Sequence, residues 1–246
     1  MDIPFLAATM LGLAMVLAPA AGAAELKVLA GGSMTASLKE LGPQFERATG
    51  HKLDIQFGAA PELIKMASGP FDVVVVPVEV VKNDAVRAKL GPTTDVAQIG
   101  FGVAVRAGAP KPDVSTPEAF KAALLKAQSV TFLPESSAGG YVLKVFERLG
   151  ITEAMKAKTR PQTTPGAIPQ AVAKGEAELG IFLTNVLIAP GVELAGPFPG
   201  DLQLDFVLTA AVAKETGHAD VAKAFLAFLK TEEAASVFKA KGVTPK

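Results

Sequence analysis

The fold is decided by residues 26–57, which read LKVLAGGSMTASLKELGPQFERATGHKLDIQF. The apolar run at 26–30 stops at paired glycines, which is typical of a strand followed by a tight turn. From Ser33 onward, apolar residues recur at helical spacing until Gly50 ends the pattern. Residues 53–57 then alternate in polarity, which predicts a second strand. A strand–helix–strand unit of this kind predicts parallel pairing with a right-handed crossover.

The same alternation of strands and helices continues along the chain. Residues 71–76, FDVVVV, end in four consecutive valines, a β-branched run that predicts a central strand buried on both faces. A longer extended stretch at 98–106 precedes a run rich in glycine and proline, and a second extended stretch lies at 202–213. These two stretches predict an outward and a return crossing between two lobes.

We therefore predict an α/β protein with two lobes, each a mainly parallel sheet flanked by helices, joined by two crossover strands. Residues 25–104 and 206–246 form the first lobe in this prediction, and residues 105–205 form the second. The connections near 103–106 and 204–207 are the predicted hinge.

Composition excludes several classes of protein. Half of the 246 residues are apolar and a fifth are charged, which favours a folded core over disorder. Lys and Arg together number 24, as do Asp and Glu, so no overall basic field exists to attract nucleic acid. The chain has no cysteine and only two histidines, and its acidic residues lack metal-ligand spacing. We predict no metal, no cofactor and no nucleic-acid partner.

The N-terminus has the features of a secretory signal. An uncharged apolar segment at 5–17 precedes the small-residue run at 20–24, as in a cleavable signal peptide. Residues 1–24 are therefore predicted to direct export to the periplasm and to be removed. The alternative is an uncleaved membrane anchor, since about 20 apolar residues can span a bilayer.

Four strand-to-helix junctions are rich in small or hydroxylated residues. Ligands bind α/β sheets at the carboxyl ends of their strands, where the unpaired N–H groups of helix N-termini attract anions. Taken alone, each junction is equally consistent with an ordinary helix cap. Together they predict an anion-binding cleft whose candidate residues are Ser33, Met34, Thr35, Ala59, Ala60, Ser136, Ser137, Ala138, Gly139, Thr164 and Gly166.

Few side chains near these junctions are suited to proton transfer. Glu135 and Tyr141 flank the small-residue loop at 136–140 and are the candidates for a catalytic acid or base, should the protein be an enzyme.

Several stretches resemble a known family. They are Leu26–Leu41 (LKVLAGGSMTASLKEL), Pro43–Phe57 (PQFERATGHKLDIQF), Phe71–Pro77 (FDVVVVP) and Gly175–Phe182 (GEAELGIF). In order and content they resemble the type II periplasmic binding proteins, specifically the molybdate-binding branch and its relatives, which include a periplasmic aconitate isomerase. The resemblance implies two lobes that close on a small anionic ligand, which the membrane permease of an ABC importer then takes up. It also implies that Ser33 contacts the anion and that Ala138 donates a backbone N–H; we expect a monomer.

Two departures from the molybdate-binding pattern leave the ligand open. The second loop, at 58–61, carries no hydroxyl, and Leu183 stands where a tyrosine is common, followed by Thr184 and Asn185. Asn185 joins the candidate ligand-binding residues on this ground. Each lost donor removes roughly 1.5–3 kcal/mol of charge-assisted hydrogen bonding. Another small anion or an organic acid is therefore an equal alternative to molybdate.

The predicted function is that of an extracytoplasmic solute-binding protein that captures a small anion. One alternative is an isomerase that interconverts cis- and trans-aconitate by proton transfer, and another is a secreted sensor or structural protein whose cleft is unused.

Overall fold

The computed structural model describes residues 22–246, and residues 1–21 of the predicted signal peptide lie outside the described residues. The first of two sheets has the spatial order Thr244–Pro245 (β11), Leu90–Ile99 (β4), Phe206–Ala213 (β10), Val73–Pro77 (β3), Glu25–Gly31 (β1) and Lys52–Gly58 (β2). The second has the order Thr159–Pro161 (β7), Val130–Phe132 (β6), Leu179–Leu183 (β8), Phe101–Arg106 (β5) and Val192–Pro197 (β9). None of the helices in 22–246 has both the length and the apolar character that a membrane crossing needs.

The helices divide between the two sheets. Those in the first lobe are Thr35–Thr49 (α1), Ala60–Met66 (α2), Val78–Lys82 (α3), Asp84–Lys89 (α4), Ala219–Phe228 (α10) and Glu232–Ala240 (α11). Those in the second lobe are Pro117–Lys126 (α5), Ser137–Arg148 (α6), Thr152–Lys158 (α7), Ala167–Ala173 (α8) and Thr184–Leu187 (α9). The two-lobed α/β architecture of the prediction is confirmed.

Both sheets are mixed rather than mainly parallel. β1 runs parallel to β2 and β3, and β6 runs parallel to β7 and β8, as expected of strands joined through helices. In contrast, β10 pairs antiparallel with β3 and β4, and β5 pairs antiparallel with β8 and β9. The prediction of mainly parallel sheets is therefore wrong at β5 and β10, the strands that begin just after the two crossings.

The outward crossing lies earlier in the chain than predicted. The stretch 98–106 is two strands, because the chain leaves β4 in the first sheet, turns at Gly100 and enters β5 in the second. Residues 103–106 lie within β5, which is hydrogen-bonded to β9 on one side and, up to residue 104, to β8 on the other. Residues 103–106 are therefore part of the second sheet, and Gly100 is the residue between the two strands.

A side-chain amide joins the two crossings. Gln203 accepts from the backbone N–H of Phe101 at 2.8 Å and donates to the Phe101 carbonyl at 2.9 Å, as a neighbouring strand would. The carbonyl of Gly100 also accepts from the backbone N–H and the hydroxyl of Thr184, at 2.9 and 3.1 Å. The phenyl ring of Phe206, on the return strand, lies edge-on to that of Phe101 with centroids 6.2 Å apart.

The central strand β3 is fully buried, as its apolar run predicts. Val73 and Val75 face a core that continues from the first lobe into the second, whereas Val74 and Val76 face a separate core against α2, α3 and α4. Alternate residues of a strand point to opposite faces, and helices cover both faces here, so every position in β3 is apolar.

Candidate functional site

A cleft of about 800 Å³ lies between the lobes. Its walls are the segments that follow β1 and β2 in the first lobe and β6, β7 and β8 in the second. These are carboxyl ends of strands, where α/β sheets bind ligands. The cleft brings together Ser33, Thr35, Ala59, Thr164, Gly166 and Asn185 of the predicted residues. A small adjoining pocket of about 30 Å³ shares Ser33 and Ala59 with the cleft and is also lined by Ala60, Ser136, Ser137 and Ala138.

The turn after β1 forms the first wall of the cleft. Residues Gly32–Met34 make one turn of 3-10 helix that leads into α1, so their N–H groups precede the first helical hydrogen bonds. The hydroxyl of Ser33 forms no hydrogen bond within 22–246, whereas that of Thr35 donates to the Gly32 carbonyl at 2.8 Å. Met34 is fully buried in the core, so its side chain does not face the cleft and only its main chain remains as a contact.

The start of α2 differs from the prediction, because a carboxylate already occupies it. The Oε2 atom of Glu62 accepts from the Ala59 N–H at 3.1 Å, and Pro61 has no N–H to offer. Glu62 itself lines the cleft. The predicted anion seat at Ala59 is therefore filled by the protein's own side chain, as in the reciprocal half of a capping box.

The start of α6 keeps two of its predicted contacts free. Helix α6 begins at Ser137, and Ser136 is its N-cap. The Ser136 hydroxyl donates to the Leu133 carbonyl at 2.8 Å and accepts from the Gly139 N–H at 3.0 Å, so both groups are used internally. The N–H groups of Ser137 and Ala138, in the first helical turn, are those left unpaired by helix geometry.

The remaining wall comes from α8 and α9 in the second lobe. Thr164, Gly166 and Lys174 line it, and the ammonium group of Lys174 forms no salt bridge within 22–246. Apolar side chains cover much of the remaining surface of the cleft; among them are Phe57, Leu133, Val186 and Ile188.

Two contacts hold the lobes together at the cleft. Asn185 Nδ2 in the second lobe donates to the Ser33 carbonyl in the first at 2.6 Å. The Oδ1 atom of Asn185 is buried without a hydrogen-bond partner within 22–246. Near the C-terminus, Gly242 lies so close to Asn185 and Ile188 that a Cβ atom there would be 2.7 Å from Ile188 Cδ1.

Comparison with known proteins identifies the family. Residues 26–244 match the family described as bacterial extracellular solute-binding protein. The chain belongs to this family.

Two relatives align with most of this solute-binding protein. An aconitate isomerase of a Pseudomonas species is 33% identical over 233 residues, which are 89% of this chain and 87% of the relative. Molybdate-binding protein ModA of Azotobacter vinelandii is 28% identical over 237 residues, which are 92% of each chain.

A solved structure shows the same fold. The periplasmic molybdate-binding protein of Azotobacter vinelandii superposes with a TM-score of 0.72, over 89% of this chain and 98% of that chain, at 20% identity. The resemblance predicted from the sequence is thus confirmed, together with the interpretation as a solute-binding protein.

The two predicted proton-transfer residues lie outside the cleft of this solute-binding protein. Glu135 is exposed and is absent from the cleft lining. Tyr141 donates its phenolic proton to the Leu202 carbonyl at 2.9 Å, and its ring packs on Phe101 beside the crossings. Burial raises the pKa of Tyr141 above its ordinary value, against the opposing effect of Arg148. The raised pKa favours the protonated form of Tyr141, and neither residue is among those that line the cleft.

Sequence reasoning missed the two ionisable residues that do line the cleft, Glu62 and Lys174. The sequence does contain a signal for Glu62. Pro61 marks the first turn of a helix, so the Glu that follows it lies at the same strand-to-helix junction as the candidate ligand-binding residues. No comparable signal exists for Lys174, which follows the last turn of α8 and reaches the cleft only through the packing of that helix. Within 22–246, no group of three His, Asp or Glu residues is placed to hold a metal ion.

Proposed function

We propose that this solute-binding protein captures a small organic acid between its lobes, in the periplasm, and delivers it to the membrane permease of an ABC importer. The observation that carries the proposal is the cleft: unpaired N–H groups of α6 border its small adjoining pocket, Lys174 and Glu62 line its wide part, and most of the remaining lining is apolar. Family membership supports the transport role, and the sequence features of residues 1–24 support export.

The size and lining of the cleft favour an organic acid over a tetrahedral oxyanion. The wide part of the cleft, about 800 Å³, falls in the range typical of sites for organic molecules, roughly 300–1,000 Å³, and the pocket beside it at the start of α6 adds about 30 Å³. A bare oxyanion has no apolar surface to place against Phe57, Val186 or Ile188. An organic acid places its carbon skeleton there and its carboxylate at the N–H groups.

Closure of the lobes would complete the site. Gly100 and residues 203–205 are the connections between the sheets, and bending there changes the separation of the walls. The Asn185–Ser33 hydrogen bond and the close approach of Gly242 to Ile188 already join the lobes in this structure.

Calorimetry with the purified protein tests the proposal. The panel comprises molybdate, tungstate and sulfate on one side and citrate, malate and aconitate on the other. We expect at least one carboxylate to bind with a Kd of about 1 μM, or about −8 kcal/mol, and the oxyanions to bind more weakly. If none binds below millimolar concentration, the proposed capture is wrong.

The substitution Ser33→Ala tests whether the ligand binds at the turn after β1. Loss of a hydroxyl that meets a charged ligand should weaken binding about tenfold or more. The midpoint of thermal unfolding of the empty protein should change little, because this hydroxyl has no internal partner. The matched control is Ser236→Ala, on the exposed face of α11. An equal loss of affinity in that control would contradict the assignment.

A second candidate function is isomerisation of aconitate. The 33% identical relative favours it, as does Glu62, the one carboxylate among the described residues that line the cleft. A base there would take a proton from the methylene carbon of one isomer. The electron pair would spread over the adjacent double bond, and a proton would return to the other end, so that the double bond moves without any redox change.

Ultraviolet absorbance of cis- and trans-aconitate mixed with the protein separates the two candidates. Interconversion that falls about a hundredfold or more in Glu62→Gln would support the isomerase. Tight binding of either isomer without interconversion would support capture alone.

A further inference from the structure

The charged residues that line the cleft restrict the chemical class of the ligand more than the volume of the cleft does. Among the described residues that line it, two are ionisable: Glu62 on the first lobe and Lys174 on the second. A ligand that fills the cleft meets a negative wall on one side and a positive wall on the other. A simple anion is suited to only one of these walls.

One hydrogen bond orients the exposed side chain of Glu62 at the start of α2. Its Oε2 atom accepts from the Ala59 N–H at 3.1 Å. The carboxylate also lies against Gly58, where a Cβ atom would be 3.1 Å from Oε2. The Oε1 atom receives no hydrogen bond within 22–246, so it remains an acceptor for a ligand.

Asn185 provides a second acceptor without a donor. Its Nδ2 is committed to the Ser33 carbonyl, and its Oδ1 is buried with no partner within 22–246. Buried acceptors are normally satisfied in a working state of a protein, by protein, water or ligand. Asn185 Oδ1 is the buried acceptor of the two, whereas Glu62 Oε1 belongs to an exposed side chain. A ligand that donates hydrogen bonds as well as accepting them would match both.

We infer that Glu62 is the residue that determines ligand class, selecting organic acids that carry a hydroxyl group and rejecting divalent oxyanions. This inference rests on the proposed capture of an organic acid. The hydroxyl donates to the Glu62 carboxylate, while a carboxylate of the ligand meets Lys174 and the N–H groups of α6. An oxyanion with no proton to donate meets only repulsion from Glu62.

Calorimetry with malate, succinate and molybdate tests the inference, because malate and succinate differ by one hydroxyl. We expect the unaltered protein to bind malate about tenfold or more tightly than succinate, since a polar site rejects an analogue that leaves its groups unpaired. In Glu62→Gln, which removes the charge at constant shape, the malate preference should fall to about threefold or less. Its affinity for molybdate should rise about tenfold or more, or about 1.4 kcal/mol.

Glu118→Gln is the matched control, because Glu118 follows Pro117 in the first turn of α5 as Glu62 follows Pro61 in α2, yet does not line the cleft. It should bind all three probes as the unaltered protein does. If Glu62→Gln keeps the malate preference, or leaves molybdate binding unchanged, the inference is overturned while the proposed capture stands. If no probe binds to any of the three proteins, the proposed capture fails and the inference fails with it.

Discussion

Asn185 Nδ2 donates to the main-chain carbonyl of Ser33 at 2.6 Å, across the cleft between the two lobes. A carbonyl can only accept, so the nitrogen of the amide must face the first lobe and the oxygen must face away from it. The bond engages the same turn whose hydroxyl is a candidate ligand contact. Asn185 thus links the second lobe to the turn that carries the Ser33 hydroxyl.

Asn185→Ala should shift the empty protein towards an open arrangement. Removing an amide that joins the lobes costs about 0.5–1.5 kcal/mol of closed-state stability. Small-angle scattering should then show a larger radius of gyration for the variant than for the unaltered protein. Thr164→Val, which changes another cleft residue without an interlobe hydrogen bond, should leave the radius unchanged. Equal radii in all three proteins would contradict the proposed role of Asn185.

Gly242→Ala should interfere with closure sterically. A Cβ atom there would lie 2.7 Å from Ile188 Cδ1 and 3.3 Å from Asn185 Cα, and the residue has a φ of +71°. We expect ligand affinity to fall about tenfold or more, with about 1 kcal/mol lost from the free energy of unfolding because of backbone strain.

Gly50→Ala separates the two effects, because Gly50 has a φ of +75° but nothing within 4 Å of a Cβ atom. This variant should show the strain without the loss of affinity. If both variants bind ligand equally well, the contact at Gly242 has no part in closure.

Gln203→Ala should destabilise the connection between the lobes. It leaves the buried Phe101 N–H without its 2.8 Å acceptor, which costs about 1–3 kcal/mol. Chemical denaturation measures the loss. Gln56→Ala removes only an exposed 3.3 Å contact with Asp54 and should change stability by less than about 0.5 kcal/mol. Comparable effects of the two substitutions would show that Gln203 does not join the crossings.

Gly139→Ala and Gly140→Ala should have opposite effects although the residues are adjacent. A Cβ atom at Gly139 would overlap the Leu133 carbonyl, whereas one at Gly140 meets nothing within 4 Å. The first substitution should lower the unfolding temperature sharply. The second should raise stability by about 0.5–1 kcal/mol, since alanine favours a helix over glycine. Thermal denaturation followed by circular dichroism decides, and a similar shift in both would contradict this packing of α6.

Lowering the pH should weaken the hydrogen bonds that Glu46 in α1 accepts from the start of β2. The Glu46 carboxylate accepts from the Leu53 N–H at 2.9 Å and from Lys52 at 3.0 Å, and these bonds lower the pKa of Glu46. Because the folded state holds the proton less tightly than the unfolded state, the contribution of Glu46 is present above the unfolded pKa. This contribution to stability is lost as the pH falls through the lower pKa that Glu46 has in the folded state.

Glu46→Gln should therefore lose less stability than the unaltered protein below about pH 5. Lys52→Met should keep most of the acid dependence, because the backbone bond from Leu53 is the larger cause of the lowered pKa. Denaturant unfolding over a range of pH measures both. An identical pH profile for Glu46→Gln and the unaltered protein would contradict the account.

The sequence by itself determined the two-lobed α/β fold, the family and the existence of the central strand, which the structure places at Val73–Pro77 rather than at 71–76. These follow from local signals: apolar periodicity sets the element type, and glycine or proline ends the element. The candidate residues at the strand ends were also accessible to this reasoning, because strand ends share one edge of a sheet. The predicted assignment of ligand contacts to them stays a prediction.

Only the tertiary structure decided which residues face each other across the cleft. Asn185 and Ser33 are 152 positions apart, and their hydrogen bond depends on how two separately formed sheets are oriented. The same holds for Glu62 and Lys174, and for Tyr141, whose hydroxyl turns to Leu202 rather than to the cleft. Periodicity records which face of an element is buried, but it contains no information on which other element covers that face, because that depends on contacts between distant segments.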